Sequence, residues 1–154
     1  HMHTIAAKAV AFREALQQEF KEYAAQVLKN ADALATAMMN EGFKLITNGT
    51  SNHLILADVQ ESFGINGKVA EEALDKIGLT LNKNSIPDDE NPPFRPSGIR
   101  LGTPALTTRG LREDDMKQIA EWMEQAIGTR GDEAKLITIR RDVEVFLKNF
   151  PPMY

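Results

Sequence analysis

The chain has 154 residues, enough for one domain with its own core, and carries a formal net charge of −4 from 18 basic and 22 acidic residues. That balance gives no basic footprint for nucleic acid, and no apolar run is long enough to span a membrane. The absence of cysteine excludes disulfides, thiolate metal sites and cysteine nucleophiles, and it fits a cytoplasmic protein.

Residues 1–3 read as a tag remnant and artificial start, because the chain begins inside a helical pattern and shows no secretory signal. Residues 4–154 then form a single domain. From 4 to 41 the pattern is helical throughout. Ile5, Ala9, Phe12, Leu16, Phe20, Tyr23, Val27, Leu28, Ala31 and Leu34 fall mostly three or four apart and make one apolar stripe. The length predicts a bend or break near Glu19 to Glu22, and Gly42 fits the left-handed residue that closes a helix.

Residues 43–47 alternate as a strand, Asn48 and Gly49 mark a turn, and 53–58 read as a second, more buried strand, together an antiparallel hairpin. His53, at the start of that strand, reads as a structural hydrogen-bonder, since no metal-ligand spacing surrounds it. Residues 60–65 read as a loop. Asn66 is placed to cap a helix over 67–77 that Gly78 ends, and a third strand is expected at 79–82. A fourth strand follows at 98–101. Glu113, Asp114 and Asp115 suit the positive end of a helix that carries Met116, Ile119, Trp122 and Met123 as core and stops at Gly128. A last helix runs from about Asp132 to Asn149 and is ended by Pro151 and Pro152. The architecture expected is α+β, a small mainly antiparallel sheet packed by helices on one face.

The stretch 79–110 differs from its flanks, with five of the seven prolines and three of the ten glycines. Long loops inside compact domains are often functional. Asn82, Asn84 and Ser85 are neutral polar groups able to bind an amide, a hydroxyl or a heterocycle edge. Arg100 lies in a strand otherwise made of Gly, Ile and Leu, with Ile99 and Leu101 on the opposite face. On a buried strand its guanidinium needs an anion, and its planar fork suits a carboxylate. A salt bridge to one of the chain's many acids, or simple exposure, is the alternative.

The motifs N-K-N-S-I-P at 82–87, P-P-F at 92–94 and S-G-I-R-L-G-T-P-A-L-T-T-R-G at 97–110 resemble the C-terminal domain of serine hydroxymethyltransferase. I-A-A-K-A-V-A-F at 5–12, N-G-T-S-N-H-L-I-L-A-D at 48–58 and I-N-G-K-V-A-E at 65–71 extend the resemblance over nearly the whole chain. It implies the small domain of a fold type I, aspartate-aminotransferase-like pyridoxal phosphate enzyme. The intact enzyme interconverts serine plus tetrahydrofolate with glycine plus methylenetetrahydrofolate. Pyridoxal phosphate and tetrahydrofolate are its cofactors, and its own large domain and a second subunit are its partners. By the same resemblance Arg100 binds the carboxylate of serine or glycine. Asn84 contributes to the folate site, and Pro92, Pro93 and Phe94 occupy the folate-contacting loop. The family usually has Asp where this chain has Ser51 and often Ser where it has Pro92. The lysine that binds pyridoxal phosphate belongs to the large domain and has no match here, so this chain alone is expected to hold no covalent cofactor and to be inactive. Two other readings remain: a free-standing, non-catalytic module for carboxylates or folates, and the small domain of another fold type I enzyme.

Overall fold

The computed structural model describes residues 1–151. Pro152, named above as part of the final stop, lies outside the described residues.

The first helical stretch is two helices, α1 (Met2–Ala15) and α2 (Gln18–Asn40), separated where Gln17 takes extended backbone at φ −75° and ψ 159°. The break precedes the expected 19–22 segment. Neither glycine nor proline causes it; α1 closes on itself through the Leu16 and Gln17 N–H groups, which return to the Phe12 and Glu14 carbonyls. α1 buries nothing. Burial on α2 begins at Val27 and continues through Asn30, Ala31, Leu34, Ala35, Ala37 and Met38. The stripe is therefore continuous in sequence but covered only in its second half: Ile5, Phe12 and Leu16 are 60%, 68% and 78% exposed.

The strand expected over 43–47 is shorter, β1 (Lys44–Leu45), because Thr47 and Asn48 take positive φ, 68° and 53°, and the chain curls into a single 3-10 turn. β2 (Leu54–Asp58) returns antiparallel to it, with Leu45 opposite Ala57. A short helix, α3 (Val59–Phe63), replaces the expected loop. The Asp58 carboxylate caps it by accepting the Glu61 N–H at 2.9 Å. α4 (Gly67–Lys76) starts as the sequence predicts, with the Asn66 side chain accepting the Val69 N–H at 3.1 Å. Leu79 and Leu81 pack against the core instead of pairing, so β3 (Asn82–Asn84) starts three residues later than expected. β4 (Gly98–Gly102) is followed by α5 (Pro104–Thr108), whose proline occupies the first turn, where no N–H is missed. α6 (Glu113–Gly128) and α7 (Glu133–Leu147) complete the chain.

The four strands form one antiparallel sheet in the order β1-β2-β4-β3. Helices cover one face. Ile55, Ala57 and Ile99 point into that side and join Leu34, Met38, Leu74, Met116, Met123 and Ile127 in a single core. α7 adds Leu136, Ile139 and Val143, and Trp122 meets Phe146 edge-on at 5.2 Å. Trp122 and the α6 methionines are core, and the architecture is the α+β arrangement the sequence predicts.

Buried polar groups fix α2 in this frame. The Asn30 amide donates to the Thr107 hydroxyl and the Leu111 carbonyl, both at 2.9 Å, and its oxygen accepts from Gln26. The Thr103 hydroxyl donates to the Val27 carbonyl. Because each side chain meets a partner on another element, α2 cannot slide by a turn without leaving these groups unpaired.

Candidate active-site surface on the open face of the sheet

Alternation along β4 buries Ile99 completely and leaves Arg100 exposed on the face that no helix covers. Residues directly opposite one another on paired strands share a face. Arg100 is flanked by Leu56 of β2 and Asn82 of β3, and one rung away Gly98 lies between Asp58 and Asn84. The strand is thus buried on one side only, which corrects the premise that Arg100 needs an internal anion. Among the described residues Arg100 enters no ion pair. The salt-bridge alternative is not what the structure holds; a solvated guanidinium sits in the middle strands of an open sheet.

The glycines beside it serve the sheet itself. A Cβ at Gly98 would lie 2.9 Å from the carbonyl oxygens of both Ala57 and Asn84, and one at Gly102 would lie 2.8 Å from the His53 carbonyl. His53 is exposed and takes part through that carbonyl, which accepts the Thr103 N–H.

The structure brings Asn84 onto the same face as Arg100. Asn84 is half-buried, and its amide donates to the Ser85 carbonyl at 2.6 Å, which leaves its side-chain oxygen for other donors. Pro92, Pro93 and Phe94 are exposed on a turn closed by the Arg95 N–H on the Pro92 carbonyl at 2.8 Å, and Phe94 is 67% exposed. They lie at the outer end of the 85–97 loop rather than on the sheet. An apolar cavity of about 180 Å³ opens on the other side, between Leu101, Trp122 and Phe146, and none of the nominated residues lines it.

One residue of this region was not singled out in the sequence. The Asp89 carboxylate accepts the Ile86 and Ser97 N–H groups on one oxygen, at 3.2 and 2.9 Å. The other oxygen accepts the Asn91 N–H at 3.0 Å and the Ser97 hydroxyl at 2.7 Å. Burial pushes this carboxyl up, but the hydrogen bonds from Ser97, Asn91 and Ile86 outweigh it and bring it down to about 2. The available signal was the P-D-D-E-N run, in which an Asp followed two residues on by a free N–H favours an Asx turn. Nothing local separates Asp89 from Asp88 or Glu90.

On the covered side Lys83 of β3 points to Glu71 of α4, with the ammonium 2.7 Å from one carboxylate oxygen and the Lys83 N–H 3.1 Å from the other. Burial raises the Glu71 carboxyl, and Lys83 more than offsets this, so it stays below its usual range.

A small antiparallel sheet with one helix-covered face and an exposed strand arginine on the other defines the class: it is consistent with the C-terminal small domain of a fold type I enzyme. The sequence pattern described as serine hydroxymethyltransferase matches residues 1–123. The curated serine hydroxymethyltransferase of Acidobacterium capsulatum is 53% identical over 150 residues, covering 97% of this chain and 35% of that protein. The chain belongs to the serine hydroxymethyltransferase family and spans about a third of the length of this curated relative.

Proposed function

We propose that this chain is the C-terminal domain of a pyridoxal phosphate-dependent serine hydroxymethyltransferase and supplies the group that binds the carboxylate of serine or glycine. The observation that carries this reading is Arg100, exposed and without an ion-pair partner among the described residues, on an open sheet face beside Asn82. Its fork can hold a carboxylate by two parallel N–H donors. Asn84 and the Pro92–Phe94 turn form the chain's share of the folate site; with proline at 92, that position contributes backbone and ring rather than a hydroxyl.

Pyridoxal phosphate does not fit the residues of this chain alone. The strand lysine nearest Arg100 in the sheet, Lys83, is held by Glu71 on the opposite face. This chain's part is therefore binding and orientation, and the cofactor lysine and the chemistry reside in the rest of the polypeptide. The uncovered apolar face of α1 supports packing against that remainder and a second subunit, in a cytoplasmic enzyme of one-carbon metabolism. No helix among the described residues is long and apolar enough to cross a membrane.

The test is steady-state kinetics with serine on the full-length protein carrying Arg100→Lys, alongside a melting curve. Lysine keeps the charge but not the fork. A charge-assisted hydrogen bond contributes about 1.5–3 kcal/mol, and a misplacement of about 1 Å can cost about a hundredfold in rate. Serine affinity and turnover should both fall while the melting temperature is kept. Near-normal serine affinity would return Arg100 to a structural role.

A further inference from the structure

We propose that Asp89 is a positioning residue for the Arg100 site, holding the edge strand β3 in register with β4 so that Asn82 and Asn84 stay beside the guanidinium on the open face. The inference rests on the carboxylate-binding reading of Arg100 given above.

β3 and β4 are joined by thirteen residues, 85–97, and pair over only three rungs, Asn82 with Arg100, Lys83 with Ile99 and Asn84 with Gly98. So short a pairing across so long a loop leaves the register of β3 weakly specified by its own ladder, whereas β4 is fixed by five rungs to β2 and by the burial of Ile99. A slip of β3 by one residue would turn Asn82 and Asn84 away from Arg100 to the helix-covered side and Lys83 to the open face, because the side-chain period of a strand is two. Asp89 removes that freedom. Its four acceptor contacts gather Ile86, just after β3, Asn91, in mid-loop, and Ser97, just before β4. The Asn91 amide closes the ring by donating to the Ser97 hydroxyl at 2.8 Å. Ser97 is held on its other side too: its carbonyl accepts the N–H groups of Val59 and Gln60. The residue three places before Arg100 is therefore fixed from both directions, and the Asp89 side supplies the link to β3 and Asn84.

Asp89→Asn tests this. An amide replaces one oxygen: on one side its NH2 meets the Ile86 and Ser97 N–H groups and on the other the Asn91 N–H, so at least one of the four contacts is lost. In this chain, amide hydrogen exchange at Ile86, Asn91 and Ser97 should accelerate by at least about tenfold, the worth of one charge-assisted hydrogen bond, while core amides such as Leu74 are unchanged. In the full-length protein the KM for serine should rise about tenfold on the same basis. The double variant with Arg100→Lys should be no worse than Arg100→Lys alone, since a residue acting through another is not additive with it. Ser97→Ala, which removes only the hydroxyl contact, should show a smaller change in the same direction and serves if Asp89→Asn folds poorly. A normal KM in Asp89→Asn beside a raised KM in Arg100→Lys overturns the proposal alone, as do additive effects. An unchanged KM in Arg100→Lys overturns the carboxylate reading and the proposal with it.

Discussion

Replacing Gly67 by alanine should damage the fold by crowding rather than by conformation. Gly67 is the first residue of α4, and a Cβ there would lie 2.0 Å from the Gly98 carbonyl oxygen, 2.9 Å from its carbon and 3.1 Å from the Pro96 carbonyl oxygen. All three are backbone atoms, so no side chain can swing aside. Relief requires α4 to withdraw from the start of β4, which breaks the 2.6 Å hydrogen bond from the Gly67 N–H to the Pro96 carbonyl. Overpacking costs about 1–3 kcal/mol and the lost hydrogen bond about 1 more, against at most about 1 kcal/mol gained from helix propensity. A net loss of about 2 kcal/mol should lower the melting temperature by about 4–8 °C for a chain of this size. Gly131→Ala is the control, since nothing lies within 4 Å of its Cβ position and its φ is not positive. Thermal and urea unfolding of both variants decides the matter. Equal melting temperatures for the two would show that α4 does not rest on β4 as described.

Asn30→Leu leaves the buried Leu111 carbonyl without its donor, and should cost about 1–3 kcal/mol by urea titration; an unchanged midpoint would mean that α2 is held by apolar packing alone. Acid should loosen the 85–97 loop late. Asp89 is lowered to about 2 from an ordinary 3.8, so the unfolded chain binds the proton more readily, and the stability this carboxylate contributes is complete above 3.8 and lost as pH falls through 2. An NMR titration of the Asp89 carboxyl carbon checks this, and a midpoint near 4 contradicts it. The apolar side of α1, with Phe12 68% and Leu16 78% exposed, should make the free chain self-associate with concentration, and Phe12→Ser with Leu16→Ser should reverse this in sedimentation velocity. A wild-type chain that stays monomeric at high concentration counts against it.

Elements whose signals are local were legible in the sequence. Asn66 as a cap, Gly42 and Gly78 as helix stops with φ of 87° and 84°, and the acidic start of α6 all act within one turn. The gap between α1 and α2 was misplaced because hydrophobic period does not register one extended residue, Gln17. β1 was overextended because Ile46 and Thr47 have strand propensity, but at the Asn48-Gly49 turn Thr47 and Asn48 take positive φ and the chain curls into a 3-10 turn. α3 was missed although Asp58 and Glu61 form a cap pair at the right spacing, since five residues carry too little pattern to outweigh a preceding apolar strand. At the site, alternation alone placed Arg100 opposite Ile99. Its exposure could not be read, because that depends on which face the helices cover. Asp89 was invisible for a related reason: its partners Ile86 and Ser97 are brought together by the sheet, not by spacing.

The strand order has a consequence for how the protein avoids misassembly. β1 and β3 are the two edges of the sheet, and an edge strand with free N–H groups is a template for another chain. Here the edges are two and three residues long, and each carries a lysine, Lys44 or Lys83. The backbone N–H of each lysine is already engaged: Lys44 donates to the Ser62 hydroxyl of α3 at 2.7 Å, and Lys83 to the Glu71 carboxylate of α4 at 3.1 Å. The helices adjoining the sheet thus stopper both of its margins, so an incoming strand finds those donors taken. Fibril-like growth by strand addition is blocked at either end of the ladder, and contacts with other polypeptide are left to the helices and to the open face around Arg100.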